Sequence, residues 1–374
     1  SRGLGDVYKR QGVAYQARQL GLAFNAVLGI IMSLFLSLGA GTILSGVGVA
    51  DALMQPAKTY LQIVGGFCIL NALIPICSSY LRAFGFSKEP LYASIIGNVI
   101  NFCLNAFFLF VLHKGVAGVA TATVISRIIN LVIVVLLGAV LVKAKQHPER
   151  ESNRAVMGQI IRIGLPSACE TAIYNVSMTL VIRFLNQMDA QGLNVTARSY
   201  TMQITNFSYC VGAALAQANA IMTGWHIGAK EYDACDRGTR KAAIIGVIVA
   251  VILETMFALC SGWIMQLFSK DPQMVSLVGK LLAIDIVLEM GRVTNLVYGQ
   301  ALKTSGDAVF PVVMGACFMI LCSVGGTYLF GIRLGLLAVG AYIGMAGDEC
   351  VRAVGMYLRW KSGKWKEKGL VKSR

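Results

Sequence analysis

Charge is scarce in this chain. Only 14% of its 374 residues are Asp, Glu, Lys or Arg, 56% are hydrophobic, and the mean hydropathy is +0.67. A soluble domain carries about 25% charged residues, so this sequence cannot cover a water-facing surface. Histidine is almost missing: His113, His147 and His226 are the three present, far apart and close to polar links. A membrane-embedded enzyme built on clustered His, Asp or Cys finds no such cluster here. The ten cysteines include no CxxC pair. Cys68, Cys77, Cys103, Cys210, Cys260, Cys317 and Cys322 sit inside apolar runs and read as small hydrophobes. Neither a disulfide framework, a metal site nor a cofactor is expected. The chain also has no initiating Met. Its opening SRGLGDVYKRQ is polar, lacks a signal-peptide pattern and resembles a translated linker, so residues 1–11 are set aside as non-native.

What is present is a series of long apolar runs. Ten candidate spans lie near 20–44, 57–81, 91–112, 116–142, 156–182, 197–226, 242–268, 274–301, 308–332 and 334–358. Their length fits helices; barrel strands would stay near 10 residues and alternate with period two. The expected fold is therefore an all-α polytopic membrane protein. The net charge of +15 would point to nucleic acid in a soluble protein, but the basic residues here gather in links between spans. Alternate links are rich in Lys and Arg, as at Arg82 and Lys88, at Lys143 to Arg162, and at Arg359 to Arg374. The positive-inside rule places those links, and both termini, in the cytoplasm, and no nucleic-acid partner is implied.

Two polar links repeat. LRAFGFSKEP (Leu81 to Pro90) and LKTSGDAVFP (Leu302 to Pro311) share Leu, a basic residue, Gly and Pro at the same offsets. The register continues without a gap from Ile31 and Ile252 through Gly41 and Gly262 to Leu61 and Leu282, always 221 positions apart. After one inserted residue, Gly118 meets Gly340. An even number of spans separates the copies, so this is a parallel repeat. The spans at 156–182 and 197–226 have no partner in the first copy. The expectation is a fragment carrying ten transmembrane helices of an inferred twelve, in two pseudo-symmetric helical lobes. The N-lobe takes 12–145 (the last four helices of six), a cytoplasmic inter-lobe loop 146–155, the C-lobe 156–360, and a basic cytoplasmic tail 361–374.

Charged groups at mid-membrane are costly and usually line a cavity or pair with one another. Glu170 is a lone acid with no nearby cationic partner on its own helix, and with polar neighbours at Asn175 and Ser177. It is a candidate for reversible H+ or Na+ binding, or an acid held by water or a neighbour's Arg. Asp285, Glu289 and Arg292 fall at i, i+4 and i+7 on one helical face. Arg292 can neutralise one acid and leave the other free, or all three can form an internal ion pair; Asn295 and Gln300 extend the polar surface. Asn98, Asn101 and Asn105 form an amide stripe that could serve substrate, Na+ or interhelical hydrogen bonds. Asp348, Glu349 and Arg352 read as a local structural cluster, and Glu254 stands alone in an apolar run. Tyr174, Met178 and other aromatic and Met side chains near the polar spans suit a cavity for lipophilic cations. The mid-span charges read as mostly acidic, which favours a cationic substrate.

GLPSACE (Gly164 to Glu170), VGAALAQANAIMTGWHIGAKEYDA (Val211 to Ala234), LEMGRVTNLVYGQALKTSGDAVFP (Leu288 to Pro311) and DECVRAVGMYLRWKSGKW (Asp348 to Trp365) together resemble the multidrug and toxic compound extrusion (MATE) family. The resemblance covers about residues 12–365. It implies twelve helices, a central cavity, and antiport of small organic cations against inward Na+ or H+ by rocking of two lobes. It also implies a multi-pass, monomeric protein of the bacterial plasma (inner) membrane. A coupling acid is implied on the helix of Glu170, and Asp285 and Glu289 inherit the same role by position, with Na+ at Glu170 and Asp285 one option. The family pattern GNxxNxxxD has Asn105 in place of its Asp, which weighs against an N-lobe proton site. A flippase for lipid-linked oligosaccharide, from the same superfamily, is the alternative.

Overall fold

The computed structural model describes residues 2–47, 51–142, 152–188 and 192–367. Among them the chain is helical, with no β-strand. Most of the inter-lobe loop and the end of the basic tail lie outside these residues. The chain divides into two compact units, Ser1–Ile161 and Arg162–Arg374.

The first unit holds α1 (Arg2–Leu38), α2 (Ala40–Val47), α3 (Asp51–Tyr60), α4 (Ile69–Ala83), α5 (Lys88–Ala106) and α6 (Gly115–Leu141). Helix α1 begins at Arg2, so the backbone of the stretch set aside as a linker continues the first helix. The second unit holds most of α7 (Asn153–Met188), then α8 (Leu193–Ala229), α9 (Tyr232–Leu259), α10 (Ser261–Met265), α11 (Pro272–Thr304), α12 (Val309–Phe318) and α13 (Leu337–Lys361). Each of the ten expected spans falls on helical backbone, though those at 20–44, 57–81, 91–112, 242–268 and 308–332 are divided between consecutive elements. Among the described residues, five helical segments are long and apolar enough to cross a membrane by composition, and a sixth is a pair, Met54–Gly65 and Ile69–Ala83, bent by 40°. Helices α7, α8, α11 and α13 do not pass that test, because they carry the polar groups described below.

The repeat is visible in the backbone. Helix α1 ends at Leu38 and α2 starts at Ala40; α9 ends at Leu259 and α10 starts at Ser261, 221 positions on in each case. The repeated polar link is a helix C-cap. Gly85 (φ 88°) and Gly306 (φ 93°) adopt the left-handed conformation that only glycine takes freely. Phe86 N–H donates to Leu81 O and Gly85 N–H to Arg82 O, both at 3.0 Å; Asp307 and Gly306 repeat the pattern onto Leu302 and Lys303 at 2.9 and 3.1 Å. This paired arrangement satisfies the last free carbonyls of the helix.

Further along, the register shifts by the one inserted residue. A π-helical segment at Phe107–Val111 matches one at Thr327–Arg333, and Leu112 N–H to Phe107 O is repeated by Leu334 N–H to Leu329 O. The second copy has an additional π-helical segment, Met319–Val324. Wide turns of this kind accommodate a single extra residue in a helix, which accounts for the insertion.

Helices in lipid approach closely where residues are small, since apolar burial alone does not drive them together. A Cβ on Gly344 would lie 2.9 Å from the carbonyl carbon of Gly326, so α13 packs directly on the preceding π segments. Gly212 of α8 and Gly246 of α9 both abut Val293 of α11, where an added Cβ would lie 2.7 and 2.6 Å from its methyl groups. After α13 the chain folds back. Trp365 stacks on Trp360 with centroids 4.2 Å apart and planes at 9°, and Trp360 Nε1 donates to Asp236 Oδ1 of α9 at 2.8 Å.

Candidate functional site

The second unit encloses a cavity of about 720 Å³ whose wall comes from α7, α8, α11, α12, α13 and the first π segment after α12. Each long helix contributes one stripe at helical spacing. On α7 these are Glu170, Tyr174, Asn175 and Met178; on α8 Arg198, Met202, Thr205 and Tyr209; on α11 Asp285, Leu288, Arg292, Asn295 and Lys303; on α13 Tyr342, Met345, Glu349 and Arg352. From Asp285 to Lys303 the stripe on α11 extends roughly 27 Å at the helical rise. The cavity is a long slot rather than a round hollow.

Ion pairs cross the slot. Arg292 Nη1 donates to Glu289 Oε2 at 2.8 Å and its Nε lies 3.5 Å from Glu349 Oε1. Arg352 Nη2 lies 2.9 Å from Glu349 Oε1, and Arg352 grips Asp348 through two donors at 2.9 Å each. Ser323 Oγ donates to Asp348 Oδ2 at 2.9 Å and Asn295 Nδ2 to Glu349 Oε2 at 3.0 Å. The result is a continuous chain of charge from Glu289 to Asp348, linking α11 to α13. A buried ion pair repays its desolvation only with such geometry and with the spare lone pairs also bonded. Arg292 further lies 5.9 Å from the ring centroid of Tyr209.

Three acids depart from this satisfaction. Glu254 of α9 is fully buried, and among the described residues its oxygens make no ion pair and find only the Ser208 hydroxyl close by. Asp285 is 2% exposed and its Oδ2 has none; Glu289 Oε1 has none either. Asp285 and Glu289 both lie within electrostatic range of Glu254. Unpartnered carboxylates buried together are costly, and a proton or a bound cation relieves that cost.

The sequence-derived candidates distribute as follows. Glu170, Tyr174, Asn175, Met178, Asp285, Arg292 and Asn295 all line the slot. Glu289 stands behind its wall, held by Arg292. Arg292 thus pairs directly with Glu289 and acts on Asp285 only at longer range. Asn98, Asn101 and Asn105 belong to the first unit; Asn105 donates to Asn101 at 3.1 Å and Asn101 to Ser126 Oγ at 3.3 Å, while Asn98 is exposed.

Two expectations need correction. Glu170 is not a lone acid: Lys303 Nζ lies 2.5 Å from its Oε2, supplied by α11 across 133 positions of sequence. The wall is not mainly acidic: it carries Glu170, Asp285 and Glu349 against Arg198, Arg292, Lys303 and Arg352. Lys303 and Arg198 escaped notice because both read as link residues at span ends. The signal for Arg198 was present, since Met202, Thr205 and Tyr209 follow it at helical spacing on a polar span. Glu349 and Arg352, which the sequence favours as a local structural cluster over a transport site, line the slot as well.

Residues 9–107 and 166–329 match the MatE family model. An uncharacterized transporter of Bacillus subtilis, YisQ, is 32% identical over 99% of this chain and 82% of its own length. A probable multidrug resistance protein, NorM of Thermotoga maritima, is 22% identical over 91% of this chain and 76% of its own. A solved MOP superfamily transporter from Pyrococcus furiosus, described as having a binding pocket of reverse polarity, superposes with a TM-score of 0.84 at 18% identity, covering 97% of this chain and 86% of that one. Helical architecture, repeat and matched residues agree, and the chain belongs to the MatE family of multi-pass membrane transporters.

Proposed function

We infer that the protein exports small organic compounds by antiport, using the slot of the second unit as the substrate site and inward H+ or Na+ as the driving ion. The observation that carries this reading is Asp285, an acid in the cavity wall with no direct ion pair among the described residues, backed by the buried Glu254 and by Glu289, whose Oε1 is unbonded. A cation arriving at such a group competes with a positively charged substrate for the same negative charge, which is the minimum an antiporter needs. Glu170 is a weaker competitor because Lys303 already holds it. Aromatic and Met side chains along the slot, Tyr174, Met178, Tyr209 and Tyr342 among them, supply adaptable apolar contact. Family membership supports export of organic compounds; the bacterial plasma membrane, cytoplasmic termini, rocking of two lobes and a monomeric state belong to the same proposal.

The flippase alternative calls for a cationic wall. Four bases do line the slot, yet Arg292, Lys303 and Arg352 are each paired with an acid of the same cavity wall or just behind it. One unpaired cation is a poor cradle for a polyanionic lipid headgroup.

The test is efflux of a fluorescent organic cation from vesicles under an imposed pH or Na+ gradient. Asp285→Asn is expected to lower gradient-driven efflux by tenfold or more, on the order of 1.4 kcal/mol in coupling, and Glu170→Gln by less. Normal pumping by both variants under either gradient overturns the reading.

A further inference from the structure

Of the seven charged side chains in the slot wall, five have a counter-charge within reach: Glu170 with Lys303, and Arg292, Glu349 and Arg352 in the network that also binds Glu289 and Asp348. The two with no direct ion pair among the described residues are Asp285, which feels Arg292 only at longer range, and Arg198, one of each sign. Arg198 is 7% exposed. Among the described residues no acid pairs with it; its Nη2 reaches the Met178 sulfur at 3.7 Å, and its Nε has no partner.

A thioether is a weak acceptor and cannot neutralise a guanidinium. Nor can arginine escape burial as an acid does, by changing protonation state, because it stays charged in proteins. A buried, unpaired Arg in a lipid-embedded helix therefore carries a standing cost that a bound anion removes most fully. The planar fork of a guanidinium matches a carboxylate with two parallel hydrogen bonds. Tyr342 of α13 lies within electrostatic range of both Arg198 and Asp285, so all three side chains belong to one neighbourhood of the same wall.

We propose that Arg198 is an anion-binding position of the slot, and that the favoured substrates are amphoteric organic molecules with a carboxylate held by Arg198, an aromatic body along Tyr342, and a cationic group directed to Asp285. The proposal rests on the slot being the substrate site and narrows what enters it. It also sets this protein apart from a site that recognises positive charge alone.

Rhodamine B and its ethyl ester separate the two cases. Both carry the same aromatic cation, and only the acid has a free carboxylate. Binding of each dye to the purified protein in nanodiscs is read by fluorescence anisotropy, for the wild type, Arg198→Gln and Arg198→Lys. The expected result is an affinity ratio of about tenfold or more in favour of the acid in the wild type. That ratio collapses towards unity in Arg198→Gln and returns in part in Arg198→Lys. Because the readout is a ratio within one protein, a general loss of folded protein does not mimic it. A wild-type ratio near unity, or one that Arg198→Gln leaves intact, overturns the proposal. Vesicles in which the wild type exports both dyes while the ratio behaves that way keep the export reading and reject the anion position. Vesicles in which the wild type moves neither dye reject both.

Discussion

Position for position, Ser33, Val64, Cys68 and Asn71 of the first repeat copy stand where Glu254, Asp285, Glu289 and Arg292 stand in the second. Asn101, Ser126 and Asn130 likewise stand where Ser323, Asp348 and Arg352 stand. The contacts are preserved while the chemistry changes: Asn101 donates to Ser126 at 3.3 Å, and Ser323 donates to Asp348 at 2.9 Å. The first copy uses hydroxyls, amides, a thiol and a valine at these positions, the second carboxylates and guanidiniums everywhere but at Ser323. The backbone differs too. In the first copy Gly65 and Gly66 precede a break and Pro75 lies inside α4, whereas α11 runs unbroken through the matching positions. At the break Ser33 Oγ accepts the Ile69 N–H at 3.1 Å. One scaffold thus carries a neutral seam in one copy and an ionic one in the other, and the ionic one faces the slot.

The sharpest way to break this comparison is to remove the matching residues of the two seams. Arg352→Leu strands Asp348 and Glu349, and is expected to cost about 3–5 kcal/mol, the range for losing one partner of a buried ion pair. Asn130→Leu, at the corresponding place, is expected to cost about 1 kcal/mol or less. Thermal unfolding of the purified protein in nanodiscs measures both, and equal shifts would mean that the seams are energetically alike. A smaller pair of effects sharpens it further. Ser33→Ala orphans the Ile69 N–H and is expected to cost about 1 kcal/mol. Glu254→Gln keeps the shape, removes an unpartnered acid, and is expected to hold or raise the unfolding midpoint, by up to about 1 kcal/mol. A large fall on Glu254→Gln would show that the carboxylate is bonded after all.

Architecture was legible in the sequence wherever it rests on local pattern. The apolar runs, the polar links and the repeat register all follow from residue spacing, and the Gly of the repeated link is required by the left-handed cap that Gly85 and Gly306 form. The face shared by Asp285, Glu289 and Arg292 was equally readable, because helical periodicity fixes it. What spacing does not encode is which helix lies across from which. Lys303 beside Glu170, Glu349 between Arg292 and Arg352, and Glu254 near Asp285 and Glu289 are each set by packing between helices far apart in the chain. The apparent excess of acid at mid-span arose the same way: bases near helix ends were assigned to water, while the slot is long enough to take them in. For the same reason the four long helices that give the slot its polar stripes are the ones that hydropathy undervalues.

The tryptophan stack after α13 governs how this protein can be handled. Trp365 is 1% exposed and donates its indole N–H to the Trp360 carbonyl at 3.0 Å, so the chain's return is fastened to the helix it leaves and, through Asp236, to α9. An affinity tag or reporter grafted beyond residue 367 leaves that latch shut, whereas trimming back to Ser362 would pry it open and bare an aromatic surface at the mouth of the bundle.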